Sequence, residues 1–120
     1  MKYVILMYSN PAETKAMSAE ERQAVRRRHE VLHAEESGVL LNGAGLAYPE
    51  STTTIRLDND TPVASEGPFV AAREQLTAYY VIDAASPQRA ISIAERTLDF
   101  HVTAVEVRAI HDWFGMDPSS

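Results

Sequence analysis

An α+β fold is predicted, with a ferredoxin-like antiparallel sheet that carries two helices on one face and closes, as a pair of chains, into a dimeric α+β barrel. Three observations predict it. The segments run strand, helix, two or three strands around a hairpin, strand, helix, strand. The first strand and the Gln75 to Ile82 strand are apolar on both alternating faces. Two helices cover only one face of a four- or five-stranded sheet, so the second face needs another cover, and a second copy of the chain is the simplest.

Lys2 to Tyr8 (KYVILMY) is β-branched and aromatic throughout, which describes a central strand. Ser9-Asn10-Pro11 breaks it. Ser18 with Glu21 three residues on is a capping-box pattern, and it predicts a helix from about Met17 to Ser37 with Ala24, Val25, Val31 and Leu32 as its apolar stripe and Gly38 as its cap. Val39 to Asn42 reads as a short strand entering a turn at Gly43-Ala44-Gly45. Thr52 to Leu57 and Pro62 to Ser65 form a hairpin about Asp58-Asn59-Asp60. Glu66-Gly67-Pro68-Phe69 interrupts the sheet and aims Phe69 into the core. Gln75 to Ile82 is the next strand. Ser86-Pro87 starts a helix with Ala90, Ile91, Ala94 and Leu98 at helical spacing, ending near Phe100, and Thr103 to Ile110 alternates as the last strand. One domain over residues 1–120 is expected, with 111–120 as a tail that contacts the partner subunit.

The 120 residues are 45% apolar and 23% charged, enough to bury a core without staples. There is no cysteine, which excludes a disulfide scaffold, a cysteine nucleophile and a thiolate zinc site. A net charge of −6 disfavours nucleic acid and anionic membranes as partners. The longest apolar run, Tyr3 to Tyr8, is too short for a membrane helix, and no signal-peptide pattern precedes it. A soluble, cytoplasmic homodimer is the expectation.

Particular residues carry a family likeness. MKYVILMY, GVLLNGAGLAYPESTTTIRL, the EGPF turn and REQLTAYYVID occur in an order that resembles the YCII-related family, in its subgroup named for an Asp-Gly-Pro-Phe motif, over about Met1 to Ile110. The resemblance implies the dimeric α+β barrel. It also implies an activity that is unassigned for most members, while related dehalogenases of chlorinated muconolactones use a histidine and an aspartate as suspected acid-base pair. Here Glu66 replaces the aspartate of the motif. The family's helix histidine corresponds to His29 or His33, with His29 favoured.

His29 lies four residues after Val25 and three before Leu32, on the border of the apolar stripe, where an imidazole reaches an interior pocket and a carboxylate such as Glu66 would orient it. The plainer reading is a boundary histidine bonded to backbone. His33 is read as more exposed; with His29 it has metal-ligand spacing, yet no matching third ligand follows, and no metal is expected. Tyr79 and Tyr80 are strand neighbours and point to opposite faces, so at most one meets a pocket. Tyr79, Arg73 and His33 are the substrate-binding candidates, beside core packing for the first and a solvated loop for the second. Asn42-Gly43-Ala44-Gly45 lacks the third glycine and following helix of a dinucleotide site, and no cofactor is expected. Arg26-Arg27-Arg28 reads as a solvated face. The leading function is small-organic-molecule binding with cofactor-free acid-base chemistry of a lyase, isomerase or dehalogenase-like type. The alternative is a non-catalytic binding or regulatory dimeric module.

Overall fold

The computed structural model describes residues 1–115; residues 116–120, the end of the tail expected to reach a partner, lie outside the described residues. Strands β1 (Lys2–Ser9), β2 (Leu40–Gly45), β5 (Gln75–Asp83) and β6 (Ala104–Ala109) form one sheet in the order β2-β5-β1-β6, with every neighbouring pair antiparallel. Strands β3 (Thr53–Asp58) and β4 (Thr61–Glu66) pair only with each other. The helices are α1 (Pro11–Lys15), α2 (Ala19–Glu35) and α3 (Pro87–Thr97). This is an α+β arrangement compatible with the ferredoxin-like expectation.

The N-termini of the helices follow from short polar signals. Ser18 Oγ accepts from the Glu21 N–H while Glu21 returns a bond to the Ser18 N–H, so the capping box is complete. Ser86 Oγ accepts from the Arg89 N–H and Pro87 occupies the first turn of α3. The Asn10-Pro11 break is itself a cap: the Asn10 side chain accepts from Ala12 N–H and opens α1, a single turn of helix. At the hairpin tip Asn59 and Asp60 both have positive φ, the backbone that lets a two-residue turn match strand twist.

Alternation places Tyr3, Ile5 and Met7 of β1 with Tyr80 and Ile82 of β5 beneath the helices, where Leu32, Ala90, Ile93, Ala94 and Phe100 close over them. Each fully buried aliphatic side chain contributes about 1.5–3 kcal/mol. Thr97, fully buried among them, donates its hydroxyl to the Ala94 carbonyl at 2.7 Å. Two expected stripes shift. Val31, Ile91 and Leu98 are largely exposed, because the faces that meet the sheet run through Val25, His29 and Leu32 on α2 and through Ala90, Ile93, Ala94 and Thr97 on α3. At the end of α2, Glu36 is nearly buried and pairs with Arg89 and Arg96 of α3.

The other sheet face carries Val4, Leu6, Tyr8, Tyr79 and Val81 with Glu106 and Arg108, and neither α2 nor α3 packs there. The β3-β4 hairpin presents Ile55 and Leu57 at 68% and 74% exposure. Phe69 is exposed rather than in the core, with the Arg56 guanidinium 5.2 Å above its ring. The radius of gyration is 16.2 Å, against roughly 13.5 Å for a compact chain of this length. Beyond β6 the chain turns back so that the Lys2 ammonium lies 5.3 Å from the Trp113 ring centre. No helix among the described residues is long and apolar enough to cross a membrane.

Candidate functional site

The capping box sets the phase of α2, and that phase turns His29 toward the sheet in the same row as Val25 and Leu32. His29 Nδ1 is 2.6 Å from the Tyr80 hydroxyl, and one turn later His33 Nε2 is 3.0 Å from the same oxygen. The His29 ring also stacks on Phe100, with centroids 4.0 Å apart and planes tilted by 32°. Tyr80 rises from the middle of β5, opposite Ile5 on one side and Gly43 on the other. Gly43-Ala44-Gly45, expected as a turn, is therefore strand. A Cβ at position 43 would sit 2.5 Å from Tyr80 Cδ1 and 2.9 Å from the Tyr79 carbonyl oxygen, so the glycine provides room for the tyrosine ring.

These groups border a cavity of about 530 Å³ whose lining also includes Met7, Ser37, Leu40 and Asn42. Burial holds the His29 imidazole below the ordinary histidine range, and the neighbouring His33 acts in the same direction. Burial also raises the Tyr80 phenol. Near neutral pH, His29 is uncharged and Tyr80 keeps its proton. One hydroxyl has one proton, so one of the two contacts is Tyr80 donating and the other is a histidine N–H donating. In the arrangement with His29 Nδ1–H donating to Tyr80 and Tyr80 O–H donating to His33 Nε2, the His29 Nε2 lone pair is free. Such a chain fixes the His29 tautomer and links two exchangeable protons beside an open cavity.

The sequence candidates divide between this site and other places. His29 and His33 meet there, joined by Tyr80. The role of Tyr80 was not legible from its neighbour: the two tyrosines are equivalent until strand register decides which lies under the helix. Tyr79 borders the cavity, but its side chain belongs to the opposite face, across from Leu6 and Ala44. Glu66 is the exposed last residue of β4 and forms no hydrogen bond with either histidine among the described residues. Arg73 is exposed in the loop before β5 and borders none of this cavity. The turn after Glu66 is anchored elsewhere: Gly67, at φ +99°, donates its N–H to the Thr52 carbonyl, and its own carbonyl accepts from the Thr54 hydroxyl. The arginine run also splits, with Arg28 donating to the Asp99 carbonyl at 2.7 Å.

An uncharacterized protein of Rhizobium meliloti (strain 1021) is 32% identical over 96 residues, covering 78% of this chain and 77% of the relative. The model of the YCII-related domain matches residues 1–114, and the chain belongs to the YCII-related family.

Proposed function

We propose that the chain binds a small organic molecule in the cavity beside His29 and Tyr80 and performs cofactor-free acid-base chemistry on it, of a lyase, isomerase or dehalogenase-like type. The observation that carries this reading is the single Tyr80 hydroxyl held between two imidazoles at the cavity wall. With Nδ1–H donated to Tyr80, neutral His29 takes a proton through Nε2 from carbon next to a carbonyl, and the electron pair moves onto the carbonyl oxygen. Tyr80 and His33 orient the ring and stabilise the imidazolium that forms. Glu66 and Arg73 receive no role in this step, because neither borders the cavity.

The working unit in this reading is a cytoplasmic homodimer whose two uncovered sheet faces close a barrel. The half-buried apolar Val4 and Leu6 on that face, and an accessible surface of 8296 Å² against roughly 6,500 Å² for a compact chain of this mass, support it. In this reading the chain falls in the Asp-Gly-Pro-Phe subgroup of the family, which the Glu66-Gly67-Pro68-Phe69 sequence at the Gly67 turn supports.

The test is solvent-deuterium exchange next to the carbonyl of a panel of small ketones and lactones, followed by proton NMR. Native protein is expected to accelerate exchange for at least one compound and His29→Gln, with its fold intact, to lose that acceleration; equal acceleration by both proteins rejects His29 as the base. A second reading, a non-catalytic binding or regulatory module, is favoured by one observation: no carboxylate is hydrogen-bonded to either histidine among the described residues. Binding without exchange across the panel would select it.

A further inference from the structure

We infer that the recess formed by Arg22, Arg26 and His29 seats the carboxylate of a small organic acid whose apolar body reaches His29, which makes these two arginines specificity determinants of that recess. The inference rests on the proposed function, in that it names the class of molecule His29 meets. Arg22, Arg26, His29 and His33 recur at intervals of four, three and four residues, which is one continuous stripe of α2. His29 stands in the middle of that stripe and borders two spaces. One is the cavity shared with Tyr80; the other is a recess of about 410 Å³ bounded by Met17, Arg22, Val25, Arg26, His29 and Phe100.

The charges in the recess lack protein partners. Arg89 and Arg96 are neutralised by Glu35 and Glu36, whereas neither Arg22 nor Arg26 joins an ion pair among the described residues. Arg22 is nonetheless held in place, because one terminal nitrogen donates to the Thr14 carbonyl at 2.9 Å and lies 3.4 Å from that of Lys15. Arg26 makes no hydrogen bond among the described residues. In a chain with 17 acidic and 11 basic side chains, both guanidiniums are left without carboxylates: the Arg26 fork is open, Arg22 keeps the N–H groups beyond the nitrogen bonded to Thr14, and a planar carboxylate matches such a fork in two parallel bonds. Met17, Val25 and Phe100 supply apolar walls, which suit an organic acid better than a fully hydrated inorganic anion.

Titration calorimetry with benzoate and with benzamide, together with the imidazole nitrogen resonances of the full chain, tests this. Benzoate is expected to bind and to move the His29 resonances, benzamide to bind at least about fivefold more weakly, and Arg26→Gln to weaken benzoate at least about fivefold with Arg26→Lys between it and the native protein. Absence of benzoate binding, equal affinity for benzamide, or an affinity untouched by Arg26→Gln overturns the proposal. Arginine-dependent benzoate binding without deuterium exchange on any compound would reject only the acid-base reading. Exchange on neutral ketones with no arginine dependence would reject only the carboxylate seat.

Discussion

Gly43 and Tyr80 face each other across the β2-β5 ladder so closely that any side chain at 43 would enter the space of the tyrosine ring, the nearest approach being 2.5 Å from a Cβ to Tyr80 Cδ1. The position of the hydroxyl that joins both histidines thus depends on a missing methyl group on the neighbouring strand. Gly43→Ala is expected to cost about 1–3 kcal/mol, the range for forcing extra atoms into a packed site. Urea denaturation should show the loss, and the His29 and His33 ring resonances should shift with it. Native stability with unshifted resonances would mean that the strand yields without moving the tyrosine.

Removing the hydroxyl while keeping the ring isolates its polar role. Tyr80→Phe leaves the two imidazoles without their common partner, at an expected cost of about 1–2 kcal/mol, since a polar group that loses its bond under partial burial forfeits more than the bond's net value. The nitrogen spectrum should then show His29 as a mixture of tautomers. A single unchanged tautomer would assign its orientation to Phe100 stacking instead.

His29 makes stability depend on pH in a definite direction. Its folded pKa is depressed, first by burial and then by His33, so below about pH 6.5, the ordinary histidine value, the unfolded chain takes up a proton before the folded one does. The contribution is complete above that pH and is lost as pH falls toward the folded value. Urea midpoints measured at about pH 7.5 and 5.5 should fall more steeply for the native protein than for His29→Gln. Parallel declines would show that His29 is not desolvated.

Glu36 joins the end of α2 to α3 through Arg89 and Arg96, and only 9% of the residue is exposed. Glu36→Gln should therefore cost about 1–3 kcal/mol, more than a surface ion pair, because both guanidiniums lose a charged acceptor that is itself largely shielded from water. Added salt should leave most of that difference in place. A difference below about 0.5 kcal/mol would put the pair in the surface class.

The uncovered sheet face gives a prediction about assembly. Leu6 lies on it between Tyr79 and Glu106. Sedimentation should report a pair of 13.3 kDa chains, and Leu6→Lys should shift the distribution toward single chains without unfolding them. A folded single native chain at micromolar concentration would remove the barrel.

The element order was legible because it is written locally. Unbroken apolar runs marked β1 and β5, alternation marked β6, the Ser18 and Ser86 caps marked α2 and α3, and Asp58-Asn59-Asp60 marked the hairpin, each within a few residues of chain. His29 was legible for the same reason, as a titratable side chain in the apolar row of a helix. The partner of that histidine was not. Glu66 and Tyr80 are both remote from His29 in sequence, and only the β1-β5-β2 register, with a glycine opposite Tyr80, carries the hydroxyl and not the carboxylate to the imidazole. Local composition fixes the period of a segment, but the phase between segments is set by which side chains fit together once they are packed.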